Sequence, residues 1–139
     1  MTRLLDINVL LALAWPQHIH HNRVTRWMVV QKSKGEISVA TCPITQLGFV
    51  RISMNLKGYA ADFQSATGLL DQLVKRKEFQ HSFWEDNLPL SSLGHRAQPD
   101  PGPSQLTDVY LAALAESRQG TFTTLDAGVK GQSAELIPQ

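Results

Sequence analysis

Hydrophobic residues along the chain form short apolar runs that alternate with longer stretches in which apolar residues recur every three or four positions. The short runs, such as 37–40 and 121–125, are rich in β-branched or aromatic residues, which is typical of buried strands. The longer stretches have helical spacing, and one of them, 20–34, ends before Gly35, as helices commonly do. The pattern therefore predicts strands and helices in alternation.

The predicted strands are 3–5, 37–40, 81–84, 121–125 and 134–137, and the predicted helices are 9–14, 20–34, 43–51, 60–75 and 106–118. Phe63 is expected on the apolar face of the fourth helix and Leu106 on that of the fifth. Residues 94–104 contain three Pro and two Gly and are predicted to form a loop. Strands separated by helices predict one α/β domain over 1–139, with a central parallel sheet and helices on both of its faces.

The composition agrees with a folded domain. The chain has 139 residues, of which 42% are hydrophobic and 18% charged, so it has enough apolar material for a core. The net charge of +1 neither favours nor excludes nucleic acid, because local clustering of cations decides that question. Cys42 is the only cysteine, which excludes a disulfide framework and a thiolate zinc site and fits a reducing cytoplasm.

The apolar run at 7–15 is too short to span a bilayer. It resembles the core of a signal peptide, but polar residues at Asp6 and Asn8 interrupt it and no small-residue cleavage site follows. It is better explained as part of a buried strand and helix. The sequence therefore predicts a soluble, cytoplasmic protein with no membrane association.

Three aspartates occupy comparable places in the predicted elements. Asp6 and Asp126 each follow an apolar strand, and Asp108 is expected to open the helix after the Pro-rich loop. Side chains at the carboxyl ends of parallel strands meet at one edge of the sheet. Each aspartate taken alone could be only a helix cap. Together they predict a cluster that needs a cation, for which Mg²⁺ or Mn²⁺ is suited, and such an ion can activate water and stabilise charge on a phosphate.

Five blocks of sequence are similar, in order, to the successive blocks of a VapC-type PIN domain, and they extend from residue 3 to about residue 126. The blocks are MTRLLDINVLLALAWPQHIHH, ATCPITQLGFVRI, HSFWEDN, QLTDVYLAALA and TFTTLD. The resemblance implies a PIN-like three-layer fold and a metal-dependent endoribonuclease toxin of a type II toxin–antitoxin system. It also implies an RNA substrate of the tRNA or rRNA class, a cognate antitoxin and a homodimer.

Matched position by position, Asp6, Asp108 and Asp126 resemble the first, third and fourth metal carboxylates of the family. The second is usually a glutamate, and here Gln46 stands in its place. An amide oxygen can coordinate a hard cation but brings no charge and cannot act as a base. Reduced activity is therefore expected, and the alternative function is a catalytically impaired PIN-like module that binds RNA or protein.

Four further residues match supporting positions of the family. Asn8 matches a polar residue that supports the first aspartate, and Thr107 and Thr124 lie beside matched aspartates and could orient them. Arg51 follows Gln46 by about one helical turn and could contact phosphate or pair with an acid in the core, of which the pairing is preferred. The 94–104 segment is longer than the family's connection and is interpreted as a tolerated surface insertion rather than a reshaped RNA entrance.

Other groups have mainly structural interpretations. His18, His20 and His21 invite a zinc-site hypothesis, but a helix start or a surface is the preferred explanation. The tryptophans at 15, 27 and 84 lie in apolar surroundings that favour a core or interface role. A third function, an α/β phosphotransfer or hydrolase domain, usually needs a second acid close behind the first. Asp6 is followed instead by Ile7 and Asn8.

Overall fold

The computed structural model describes residues 1–97, 101–129 and 133–139. Its strands are β1 (Arg3–Leu5), β2 (Ile37–Thr41), β3 (Phe79–Phe83), β4 (Thr121–Thr124) and β5 (Ala134–Leu136). Its helices are α1 (Ile7–Ala14), α2 (His21–Ser33), α3 (Pro43–Asn55), α4 (Phe63–Val74) and α5 (Pro103–Ser117), with a 3₁₀ segment at Leu90–Ala97. The strands form one sheet in the order β3-β2-β1-β4-β5, and each neighbouring pair is parallel. The predicted α/β class with a parallel sheet is confirmed.

The sheet separates two hydrophobic clusters because successive side chains of a strand point to opposite faces. Leu5 and Val39 belong to the cluster that contains the buried side chains of α1, α2, α3 and α4. Leu4 and Ala40, their neighbours along the strands, belong to the cluster that contains α5 and the 3₁₀ segment. The fold therefore has three layers, with four helices on one face of the sheet and α5 on the other.

Glycine at one position brings two helices together beneath the carboxyl edge of the sheet. Gly48 is buried in α3, and a Cβ atom built there would overlap the side chain of Ile7. Ile7 is the first residue of α1, directly after β1. Pro43 provides the first turn of α3, where its missing N–H is not needed. Both helices thus begin at the same edge, with their N-terminal turns in contact with the ends of β1 and β2.

The predicted loop at 94–104 is only partly correct. The 3₁₀ segment reaches Ala97, and α5 already begins at Pro103 rather than at residue 106. Pro103 suits the first helical position, and the Gln105 side chain accepts a hydrogen bond from the backbone N–H of Gly102. Residues 98–100 lie outside the described part of the chain. As a consequence, Asp108 does not open the helix but lies about one and a half turns into it.

Other differences concern boundaries and exposure. Strand β3 begins at Phe79, two residues before the predicted start, and α4 begins at Phe63, after an N-cap at Asp62, rather than at residue 60. Phe63 is 61% exposed and Leu106 is 43% exposed, so neither belongs to the buried face of its helix. Both residues lie in the first turn of a helix, where the chain enters from the surface. In the part of the chain that the structure describes, every helix is too short or too polar to cross a bilayer.

Candidate functional site

The carboxyl ends of three adjacent strands carry the residues singled out from the sequence. Asp6 follows β1, Gln46 lies in the first turns of α3 after β2, and Asp126 lies two residues beyond β4. Because the sheet order places β1 between β2 and β4, these three positions are neighbours at one edge. The topology therefore gathers residues that are up to 120 positions apart in sequence.

Asp6 is buried, with 6% of its surface exposed, and both of its carboxylate oxygens are hydrogen-bonded. Oδ1 accepts from the backbone N–H of Ile7 at 2.7 Å and Oδ2 accepts from the Thr124 hydroxyl at 2.6 Å. Burial raises the pKa of Asp6, and the charge of Asp126 raises it further, while the two hydrogen bonds oppose this. The Asp6 carboxylate, which caps α1, is thus disfavoured in its charged form by burial and by the charge of Asp126.

Asp108 reaches the same edge from the opposite layer. It lies on α5 and is partly buried. Burial, followed by the charges of Asp6 and Asp126, raises the pKa of Asp108 from 3.8 to about 6. Asp108 therefore lies within electrostatic range of both other aspartates. The three acidic residues that the sequence indicated belong to the same region of the fold.

Asp126 is exposed and shapes the turn that follows β4. Its Oδ1 accepts a hydrogen bond from the backbone N–H of Gly128 at 2.8 Å, and its own N–H donates to the Thr124 hydroxyl oxygen at 3.0 Å. Thr124, which is buried, therefore accepts from the Asp126 backbone while donating to the Asp6 side chain. This single hydroxyl connects two of the three acidic positions.

Gln46 is hydrogen-bonded through its amide nitrogen. Nε2 donates a 3.0 Å hydrogen bond to the hydroxyl oxygen of Thr41, the last residue of β2. That hydroxyl is also 2.8 Å from Nε2 of His81 on β3. Thr41 and His81 were missed as site residues. The available signal was the resemblance of the HSFWEDN block together with the placement of Thr41 at the end of a strand.

The supporting residues have different surroundings. The Asn8 Oδ1 accepts a 3.4 Å hydrogen bond from the backbone N–H of Leu125, which connects α1 to the segment after β4. Thr107 is exposed, and its side chain makes no hydrogen bond within the described residues. Arg51 is exposed too, and neither ion pair found in that part of the chain includes it. The expected pairing of Arg51 with an acid in the core is wrong, because this side of α3 faces solvent.

The histidine-rich segment begins a helix, as expected. α2 starts at His21 with His20 as its N-cap, and the His21 ring lies 2.7 Å from the carbonyl oxygen of Ala12 through Nδ1. Trp27 and Trp84 are buried in the two cores. Trp15 is half-buried and donates to the Ser53 hydroxyl at 3.0 Å. The core interpretation of the tryptophans is confirmed.

The donor chemistry of the edge fits a hard divalent cation. Burial and the neighbouring negative charges raise the pKa of Asp6 and of Asp108, and a bound cation would relieve this repulsion. With the side chains as they stand, no three His, Cys, Asp or Glu side chains of the described residues converge closely enough to hold an ion. The carboxylate of Asp126 turns instead to Gly128. A site formed by the three therefore requires side chains to move from these positions.

The fold and this edge define a class of protein: three-layer α/β domains that collect acidic side chains at the carboxyl edge of a parallel sheet. No family model matches the chain. It is similar over nearly its whole length to curated proteins of Mycobacterium tuberculosis. Ribonuclease VapC39 of strain H37Rv is 38% identical over 140 residues, covering 99% of this chain and 98% of that protein.

Two further relatives from the same strain agree. Ribonuclease VapC29 is 38% identical over 141 residues, covering 99% of this chain and 98% of that protein. Ribonuclease VapC44 is 36% identical over 132 residues, covering 93% of this chain and 89% of that protein. Identity at this level over nearly the full length of both proteins shows common descent, and the chain belongs to the VapC family.

Proposed function

We propose that this chain is a metal-dependent endoribonuclease toxin that cleaves RNA of the tRNA or rRNA class in the cytoplasm and is neutralised by a cognate antitoxin. The relatives named ribonucleases support the activity, since they match from end to end. The observation that carries the proposal is the placement of Asp6 and Asp126 just beyond the adjacent strands β1 and β4. Asp108 on α5 lies within range of both, since burial, followed by the charges of Asp6 and Asp126, raises its pKa to about 6. Such repulsion is costly for a fold and is typical of functional sites.

In this proposal Asp6, Asp108 and Asp126 hold Mg²⁺ or Mn²⁺. When bound, such an ion activates a water molecule and stabilises negative charge on the phosphate being cleaved. By donating to Oδ2, Thr124 favours the ionised form of Asp6 and opposes the effect of burial on its pKa. Burial of Asp6 and partial burial of Asp108 limit water at the edge and strengthen the attraction of the carboxylates for a cation.

Gln46 favours a second candidate, an RNA- or protein-binding module with little or no activity. Its amide nitrogen donates a hydrogen bond to Thr41. The residue adds no charge at the position where the resemblance implies a glutamate. Weaker metal binding follows from the smaller negative charge of the site. We favour reduced activity over complete loss, because the three aspartates are all present.

A homodimer is part of the proposal and has support on α3. Leu47 is 63% exposed and Met54 is 44% exposed, and with Arg51 between them they form a stripe at helical spacing. The neighbouring α4 adds the exposed ring of Phe63. Exposed apolar side chains that form a stripe, as on α3, are typical of interfaces. Light scattering during size exclusion should give a dimer mass for the unaltered chain and a monomer mass for Leu47→Asp.

Cleavage of a panel of fluorescent tRNA and rRNA fragments tests the proposed function. The unaltered chain should shorten at least one RNA in Mn²⁺ and none in EDTA, and Asp108→Asn should abolish cleavage. Asp71→Asn is the matched control, since Asp71 is an exposed aspartate on α4 paired with Lys75. Binding of RNA without cleavage by any form, including Gln46→Glu, would favour the second candidate.

A further inference from the structure

A chain of two hydrogen bonds runs from Gln46 through Thr41 on β2 to His81 on β3, on the side of β2 opposite to β1. Thr41 and His81 lie on adjacent parallel strands, where Val39 pairs with His81 in register. Since alternate residues of a strand share a face, Thr41 and His81 point to the same side of the sheet. Thr41 is fully buried and His81 is half-buried. The two hydrogen bonds, 3.0 Å and 2.8 Å long, meet at one hydroxyl.

Counting protons along this chain fixes the direction of its first hydrogen bond. The amide nitrogen of Gln46 can only donate, so the Thr41 hydroxyl oxygen accepts from it. That hydroxyl has one proton and a second lone pair, so toward His81 Nε2 it can either donate or accept. When it donates, Nε2 offers a lone pair and the His81 ring is neutral, with its proton on Nδ1. Burial lowers the pKa of His81, in agreement with a neutral ring.

The carbonyl oxygen of Gln46 is left open by this arrangement. Within the described residues Oε1 has no hydrogen-bond partner, and no buried side-chain atom there is left unsatisfied, so Oε1 is reached by solvent. An amide whose nitrogen is held on one side presents its oxygen on the other. Amide oxygens are accepted ligands of hard divalent cations. Gln46 is thus placed to offer an oxygen, but no charge, beside the acidic edge.

We propose that His81 is a positioning residue of this site, which acts through Thr41 to hold the Gln46 amide nitrogen inward and its carbonyl oxygen outward as a neutral cation ligand. The inference rests on the proposed function in taking the edge as a cation site. The proposal also predicts different hydrogen-bond directions for glutamine and for glutamate at position 46. A carboxylate can only accept, so with Gln46→Glu the Thr41 hydroxyl would donate to the carboxylate, and His81 Nε2 would become the donor.

Ring-nitrogen NMR of the full chain with ¹⁵N-labelled histidine tests the direction of the chain. The His81 signals are assigned by their loss in His81→Gln, and spectra are recorded where the ring is neutral. The unaltered chain should show the proton on Nδ1, and Gln46→Glu should move it to Nε2. Thr41→Val should abolish the preference of the His81 proton for Nδ1, and Thr41→Ser should retain it. A proton on Nε2 in the unaltered chain would overturn the proposal.

Calorimetry of Mn²⁺ binding tests whether the Gln46 oxygen is a cation ligand. Thr41→Val and Gln46→Met should each weaken Mn²⁺ binding by about tenfold, the usual effect of losing a group that orients a metal ligand or a weak ligand itself. Thr41→Ser should bind as the unaltered chain does. Unchanged affinity in Gln46→Met would overturn the assignment of the amide oxygen. The NMR result does not depend on RNA cleavage, so a chain that cuts no RNA but shows the expected ring protonation contradicts the proposed function alone.

Discussion

The hydroxyl of Thr124 donates a 2.6 Å hydrogen bond to Oδ2 of Asp6 and thereby joins the ends of β4 and β1. Both side chains are buried, and their positions differ by 118 in sequence. The same hydroxyl oxygen accepts from the backbone N–H of Asp126 at 3.0 Å. One threonine thus holds one carboxylate of the acidic edge and sets the backbone from which another projects.

We expect Thr124→Val to weaken Mn²⁺ binding and to destabilise the fold by about 1 to 2 kcal/mol, since Asp6 loses the hydroxyl that favours its ionised form. Calorimetry and urea unfolding measure the two effects. Thr123→Val is the matched control, because Thr123 is equally buried and its hydroxyl donates to Glu135. It should lose comparable stability with Mn²⁺ affinity intact. Equal weakening of Mn²⁺ binding by both variants would contradict a specific role of Thr124.

The raised pKa of Asp108 predicts a pH dependence of stability without metal. Between pH 3.8 and about 6 this carboxyl is ionised in the unfolded chain but still largely protonated in the folded chain. The unfolded state then binds fewer protons, so the free energy of unfolding falls as the pH rises through this window and levels off above it. The raised pKa of Asp6 acts in the same direction.

Urea unfolding in EDTA across that window measures this dependence. After discounting for partial exposure, Asp108 should account for a loss of about 1 kcal/mol, which Asp108→Asn should remove. Asp71→Asn, on the exposed surface of α4, should retain the full slope. Identical pH profiles for Asp108→Asn and the unaltered chain would show that the pKa of Asp108 is not raised in the folded chain.

The contact between α3 and α1 predicts opposite effects at two helical glycines. Gly48→Ala should destabilise the protein by about 1 to 2 kcal/mol, since the new methyl group overlaps Ile7 and the site residues at the start of both helices must shift. Gly68 in α4 has open space around its Cα, so Gly68→Ala should stabilise by up to about 1 kcal/mol. Thermal unfolding compares them. A stabilising Gly48→Ala would mean that the two helices are not in close contact.

Gln46→Glu should raise the affinity for Mn²⁺, because it adds a fourth negative charge to the acidic edge. Calorimetry on both forms measures the change, and RNA cleavage should increase in parallel. Gln72→Glu on the exposed side of α4 adds the same charge elsewhere and should leave the affinity unchanged. Equal Mn²⁺ affinities of Gln46→Glu and the unaltered chain would contradict the hypothesis that the missing carboxylate limits metal binding.

The sheet and the positions of Asp6 and Asp126 could be predicted because local patterns determine them. Each aspartate directly follows an apolar run, and alternating strands and helices lead to a parallel sheet with a common carboxyl edge. The start of α5 could not be predicted, since a stretch rich in proline and glycine reads as a loop even where Pro103 begins a helix.

Contacts between side chains that are distant in sequence could not be predicted, for a different reason. The hydrogen bonds of Thr41 with Gln46 and His81 depend on which strands are adjacent and on their register. The solvent exposure of Arg51 depends on which side of α3 meets the core, and apolar and polar residues are distributed around that helix too evenly to decide it. Register and helix rotation are set by packing of the whole domain, which local periodicity does not contain.

The central claim is that Asp6, Asp108 and Asp126 form one cation site. It is tested most directly by Mn²⁺ titration calorimetry of the unaltered chain, the three single Asp→Asn variants and the control Asp71→Asn. We predict measurable Mn²⁺ binding that each of the three variants weakens by about tenfold or more, with the control unchanged. Mn²⁺ binding that survives Asp108→Asn at full affinity would contradict the claim, because α5 would then contribute nothing to the site.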